Sequence, residues 1–218
     1  MSATQRPLRR LLPLTLLAGL LLAACGTGER PYFSEEPAFP AGEMTGDPAI
    51  DAVLGKLDNA TSGPATASYE VLTKYGNTTH PAVVVLDPGK RSVTIGNVHY
   101  IQTEALAVTC TEDGSQPCVD GFDPQRISDT GITYDFYASD TAKRLRRDAD
   151  AKIGPATAST ATVAEQQTTC VELPLTGGTA VYCVLANGLV AKLDDGDVLI
   201  TMVLFGDTVD PNNFVPPA

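Results

Sequence analysis

Two blocks of period-two alternation constrain this chain more than any other feature. One begins at Ala65 and runs to about Thr103; the other runs from Thr157 to Gly206. Apolar residues at every second position mark strands buried on one face only. Turn residues cut the first block into candidate strands at 66–75, 81–87, 91–96 and 98–103, with Tyr75-Gly76-Asn77, Asp87-Pro88-Gly89-Lys90 and Gly96-Asn97 between them. The second block divides into 157–163, 168–174, 179–186, 189–193 and 197–206, where Asn187-Gly188 is a strong hairpin signal.

Folding the chain about these turns sets a register. Leu86 falls opposite Arg91, Val84 opposite Val93 and Ala82 opposite Ile95; about 76–81, Tyr75 meets Ala82, Thr73 meets Val84 and Val71 meets Leu86. One face then gathers Val71, Tyr75, Val84, Leu86, Val93 and Ile95. In the second block, pairing Ala186 with Leu189, Val184 with Ala191 and Leu193 with Val198 puts ten apolar residues on one face, from Val171 to Met202 and Leu204. The one-residue precision of a strand's face makes this a demanding reading.

Three helices are expected around the strands. Asp47-Pro48 is an N-cap followed by a first-turn proline, and Ile50, Val53, Leu54 and Leu57 follow at helical spacing. Asp123-Pro124 opens a short helix through Asp129. Ser139 or Asp140 caps another that runs to about Lys152 and stops at Gly154-Pro155. The fold class expected is therefore α+β: a single wide curved antiparallel sheet with an N-terminal helix and a helical insert covering its apolar face.

Cysteine spacing supports the second register. Four cysteines form two close couples, Cys110 with Cys118 and Cys170 with Cys183, out of three possible pairings. A turn at Thr176-Gly177 puts Cys170 directly across from Cys183, where Cβ atoms approach disulfide distance. A four-cysteine zinc site would want pairs two to four residues apart, which this spacing lacks.

The N-terminus carries the localisation signal. Arg6, Arg9 and Arg10 precede a leucine-rich run that ends in Leu22-Ala23-Ala24-Cys25. This is the layout of an export signal, and it resembles the lipobox of bacterial lipoproteins. That resemblance implies cleavage after residue 24 and acylation of Cys25, so that acyl chains anchor the protein on the outer face of the cell membrane. The apolar run is short of the ~20 residues that span a bilayer. Residues 25–46, rich in proline, glycine and glutamate, read as a tether with a reach of roughly 25 Å. The folded domain is expected at 47–210, with a tail at 211–218.

The order of elements also resembles the LolA-like half-barrel of envelope lipoproteins of the LppX and LprG kind. The matching stretches are Ala67-Ser68-Tyr69-Glu70-Val71, Val93 to Ile101, and Tyr182 to Leu189. The resemblance implies an apolar cavity holding acyl chains of a lipid or glycolipid. Val84, Val93, Val184, Ile200 and Met202 are the candidate walls.

Charge and chemistry narrow the rest. The first 24 residues hold three of the 15 basic side chains and none of the 26 acidic ones, so the remainder carries a net charge of −14. Such a surface argues against nucleic acid as a partner. His80 and His99 do not come with metal-ligand spacing, and no serine sits in a nucleophile elbow; an enzyme, a metal and a cofactor are not expected. Lys143, Arg144, Arg146, Arg147 and Lys152 cluster in the helical insert. They read as a solvated face with pairs Arg144–Asp148 and Arg146–Asp150, or alternatively as a site for anionic headgroups. Two functions stay open: a membrane-tethered carrier of an amphiphilic lipid, and an accessory envelope lipoprotein with a filled core that acts by binding another protein.

Overall fold

Helix α1 (Pro48–Asp58) begins where the capping chemistry places it. The Asp47 carboxylate accepts the Ala49 N–H at 3.1 Å with Pro48 at the first helical position, a cap worth about 1 kcal/mol. The computed structural model to which this helix belongs describes residues 40–60 and 63–217. Ile50, Val53, Leu54 and Leu57 are buried along one side of α1.

Eleven strands follow. They are β1 (Ala65–Thr73), β2 (Thr78–Asp87), β3 (Lys90–Ile95), β4 (Val98–Gln102), β5 (Ala107–Thr111), β6 (Val119–Asp120), β7 (Thr157–Val163), β8 (Gln166–Leu175), β9 (Gly178–Val184), β10 (Val190–Asp194) and β11 (Val198–Gly206). All belong to one antiparallel sheet in the order β6-β5-β4-β3-β2-β1-β11-β10-β9-β8-β7. Each block of alternation is a meander, and β1 paired with β11 fuses the two at the centre. The first meander has six strands rather than the expected four. β5 and the two-residue β6 lie in the stretch that carries the Cys110–Cys118 link.

Registers follow the turns, with three informative corrections. The β2–β3 pairing is as the turn dictates, Val84 opposite Val93 and Leu86 opposite Arg91. The β1–β2 hairpin is tighter than expected: Thr73 pairs with Thr78 and Val71 with His80, while Gly76 and Asn77 take positive φ. Because the shift is an even number of residues, faces are conserved. Tyr75 nevertheless moves from the core into the turn and is 98 % exposed, while Ala67 and Tyr69 take the inner positions.

The second correction is at β10–β11. Leu193 lies opposite Ile200 rather than Val198, because the Asp195 carboxylate accepts the N–H groups of Asp197 (2.7 Å) and Val198 (2.8 Å) and holds a wider turn. On the β9 side, Lys192–Asp194 keep the expected register, and an irregularity between Val190 and Lys192 absorbs the Asn187-Gly188 turn. The third is a bulge where Ser68 pairs with Leu204 but Tyr69 with Met202. The extra residue, Val203, reverses the alternation. Leu204, expected inside, is 59 % exposed, and Phe205 packs against the core in its place.

Two helices separate the meanders. Helix α2 (Pro124–Thr130) is capped by the Asp123 carboxylate on the Gln125 N–H and ends at Gly131 in the left-handed region. Helix α3 (Ser139–Ala151) follows Ala138, which has no capping side chain. Neither Ser139 nor Asp140 is the cap; the Ser139 hydroxyl is bound by Asp135. Ile50 and Leu54 of α1, Leu145 of α3 and Phe136 before it share one buried cluster with the inner side chains of the sheet.

Both ends of the expected domain extend further. Residues 42–46, assigned to the tether, are pinned to α1: Gly42 N–H donates to Asp58 at 3.1 Å, and the Thr45 N–H and hydroxyl both donate to Asp51 at 2.8 Å. Residues Pro211–Phe214, assigned to the tail, form a 3-10 turn that rests on β3 with Phe214 only 8 % exposed. No described helix is long and apolar enough to cross a membrane.

Candidate functional site

The five residues expected to wall a lipid slot do not do so. Val84, Val93, Val184, Ile200 and Met202 are all 2 % exposed or less and sit inside the main core cluster. None of the five is among the side chains that line the open groove described next. The inner face is filled in part by aromatics: Tyr182, which the alternation placed there, is fully buried, and Tyr69 and Phe136, which it did not, meet edge to face at 5.2 Å. Substituting Trp at Val93 or Val184 is therefore overpacking.

An open groove of about 480 Å³ lies elsewhere, where three separate parts of the chain meet. Leu57, Asp58 and Ala60 come from the end of α1 and just beyond it, Leu86, Gly89, Lys90 and Arg91 from the β2–β3 hairpin, and Asp135, Tyr137, Ala138 and Ser139 from the approach to α3, with Ala41 and Gln102 at its edges. Leu57, Ala60, Leu86 and Ala138 give it an apolar floor, while Lys90, Arg91, Asp58 and Asp135 stand along it. The volume falls in the lower part of the ~300–1,000 Å³ typical of small-ligand sites.

Its charges are unequally satisfied. Asp58 is held by Arg146 and by the Gly42 N–H, and Asp135 by the Ser139 hydroxyl. Lys90 reaches Asp87 at 3.6 Å in a largely exposed pair, and its ammonium lies 5.5 Å from the Phe214 ring. Arg91 has no carboxylate partner among the described residues. Its guanidinium carbon sits 4.9 Å from the ring centres of both Phe122 and Tyr134, and its Nε is buried without a hydrogen-bond acceptor. Burial pushes the Tyr137 hydroxyl pKa up, and Arg91, hydrogen-bonded to it, opposes that rise. The sequence carried one signal for this place: adjacent cations, Lys90-Arg91, closing a turn in an acidic chain.

The three arginines of the α3 cluster are neutralised, but not by the expected partners. Arg144 binds Asp140 at 2.9 Å and Asp195 at 3.2 Å; Arg147 binds Asp148 at 2.9 Å and Asp195 at 3.4 Å. The Tyr182 hydroxyl donates to Asp148 at 2.6 Å from inside the sheet. Arg146 turns inward to Asp58 and the Glu43 carbonyl. Partners from the β10–β11 turn and from α1 displace the i,i+4 pairs, because α3 packs against these elements rather than facing water. Three engaged guanidiniums leave little for an anionic headgroup here.

A third constellation lies on the opposite face of the sheet. The Nε2 of His99 is 2.7 Å from Ser92 Oγ, and its Nδ1 is 3.0 Å from Glu112 Oε2. The order hydroxyl, imidazole, carboxylate is that of a hydrolytic triad. Ser92, however, is 3 % exposed in the middle of β3, so no substrate carbonyl reaches it. Burial lowers the His99 pKa, opposed by the Glu112 carboxylate and by a hydrogen bond to the Asn213 backbone. The folded pKa lies below the ~6.5 of an unfolded histidine, so the unfolded chain binds more protons as pH falls. The stability due to neutral His99 is intact above about pH 6.5 and is lost below it. Urea midpoints between pH 7.5 and 5 should therefore fall more steeply for the native chain than for His99→Gln; equal slopes would refute this.

The disulfides are Cys110–Cys118 and Cys170–Cys183, with Cα separations of 4.2 and 4.0 Å. The latter joins directly opposed positions of β8 and β9 and is worth roughly 3 kcal/mol on the loop-entropy estimate. No group of three metal-ligating side chains is gathered among the described residues. Cys25 lies outside them. Compared with known protein families and with curated protein sequences, the chain matches none.

Proposed function

We propose that this is a cell-envelope lipoprotein, anchored by acyl chains on Cys25, whose folded domain holds a single-chain amphiphile in the groove between α1, the β2–β3 turn and the start of α3. The observation that carries this reading is the groove itself, with an apolar floor flanked by cations. Support for a LolA-like half-barrel comes from one unbroken antiparallel sheet whose inner residues share a cluster with α1 and α3. The ligand is smaller than the glycolipid the resemblance implies, because the described side chains between sheet and helices form one packed cluster and the groove has a volume of only about 480 Å³.

Native mass spectrometry of the intact protein in mild detergent, with dodecanol added, tests this. One bound alcohol is expected in the native chain. Ala60→Phe should remove it, since the added ring takes up part of the groove that Ala60 lines. Val184→Trp should instead cost ~1–3 kcal/mol of stability by overpacking. No adduct in the native chain would sink the carrier reading. The accessory lipoprotein, acting through another envelope protein, would then stand, as the filled interior around Val184 and Ile200 favours. Anchorage has its own test. Cys25→Ala should abolish membrane association, because acylation supplies ~0.8 kcal/mol per buried CH₂; retention on membranes in high salt would refute it.

A further inference from the structure

We propose that Arg91 recognises an anionic head, so that the groove's ligand is one acyl chain ending in a carboxylate or phosphate. This rests on the groove being a ligand site, and it adds the chemical class of the ligand. The argument starts from charge. In a chain this acidic, Arg144, Arg146 and Arg147 are each claimed by carboxylates. Arg91 is the exception: it lines the groove, yet no carboxylate of the described residues reaches it.

Its setting suits anion recognition. Phe122 and Tyr134, with centroids 4.3 Å apart, each hold the guanidinium carbon at 4.9 Å. Stacking of this kind fixes the plane of the fork in advance, and a planar fork matches a carboxylate or phosphate with two parallel hydrogen bonds. Lys90 is adjacent and only weakly held, so it adds a second positive charge. The two acids on the groove, Asp58 and Asp135, already accept hydrogen bonds from Arg146 and Ser139. Leu57, Ala60 and Leu86 lie along the same groove as Arg91. One chain with one charged end uses both parts.

The test is native mass spectrometry of the intact protein in non-ionic detergent with dodecanoate, dodecyl phosphate or dodecanol at equal concentration. The native chain should favour at least one anion over the alcohol by about tenfold, the scale of a charge-assisted bidentate contact. Arg91→Gln should abolish that preference, its loss of anion binding being about tenfold larger than any loss of dodecanol binding, and Arg91→Lys should retain part of the preference. Binding of dodecanoate alone identifies a fatty acid, and of dodecyl phosphate alone a phosphorylated lipid; either supports the proposal. Equal binding of all three probes by the native chain would overturn it while leaving the groove reading intact. So would equal losses for anion and alcohol in a folded Arg91→Gln. No adduct with any probe would overturn both. The native-chain comparison decides the matter even if Arg91→Gln fails to fold.

Discussion

Arg146→Met is expected to destabilise the domain by about 3–5 kcal/mol, the usual cost of leaving one member of a buried ion pair alone. The Arg146 and Asp58 side chains are 4 % and 9 % exposed. Methionine keeps much of the packing but removes the guanidinium, which also binds the Glu43 carbonyl at 2.9 Å. Asp58 is left with one backbone N–H. Adding Asp58→Leu to the same chain should restore most of the loss, because a paired apolar replacement no longer buries a charge. The measurement is the urea midpoint of the single and double variants. A loss below about 1 kcal/mol in the single variant would mean that water entering through the groove already solvates Asp58.

Gly188→Ala should be nearly as damaging. Gly188 has φ +85°, and a Cβ there would lie 2.2 Å from the Lys56 carbonyl oxygen and 2.7 Å from the Ala60 Cα. Both obstacles are main chain at the end of α1, so no side chain can swing aside. Backbone strain and forced displacement together are expected to cost about 3–4 kcal/mol. Gly177, in the β8–β9 turn, is the control: a Cβ there meets nothing within 4 Å. Gly177→Ala should leave thermal stability nearly unchanged. If both variants melted together, the close seating of the β9–β10 turn on α1 would be wrong.

The sequence was most informative where structure is local. Caps at Asp47 and Asp123 and the β2–β3 turn depend on a few neighbouring residues, and they stand where those residues place them. Parity was the next most legible property. The β1–β2 and β10–β11 registers slipped by even numbers, so Val71, Leu193 and Ile200 kept their faces while their partners changed. Val203 had no such protection, since a bulge depends on how β1 and β11 meet across the molecule. Nothing in Ser68 or Leu204 announces it.

The candidate site was less legible for the same reason. Val84 and Val184 look identical whether they border a slot or a solid interior; what distinguishes the two is how far Phe136 and Tyr69 reach in. The groove draws on residues near positions 58, 90 and 137, which no spacing rule connects. The α3 arginines were rightly read as charge-paired, yet their partners come from the β10–β11 turn and from α1. Phe214, a lone aromatic between asparagine and valine, gave no sign that it would rest on β3.

The pairing of β1 with β11 has a kinetic consequence. Residues 66–73 bond to residues 198–206, so the central seam of the sheet joins positions almost as far apart in sequence as the domain allows. Each meander can form from neighbouring hairpins, but the seam requires closure of a long loop before it gives any return. A chain that emerges from its N-terminus presents β1 with one open edge until β11 follows. During that interval the first meander exposes the apolar face that the finished protein hides, so the slower the seam closes, the more of the chain is open to aggregation.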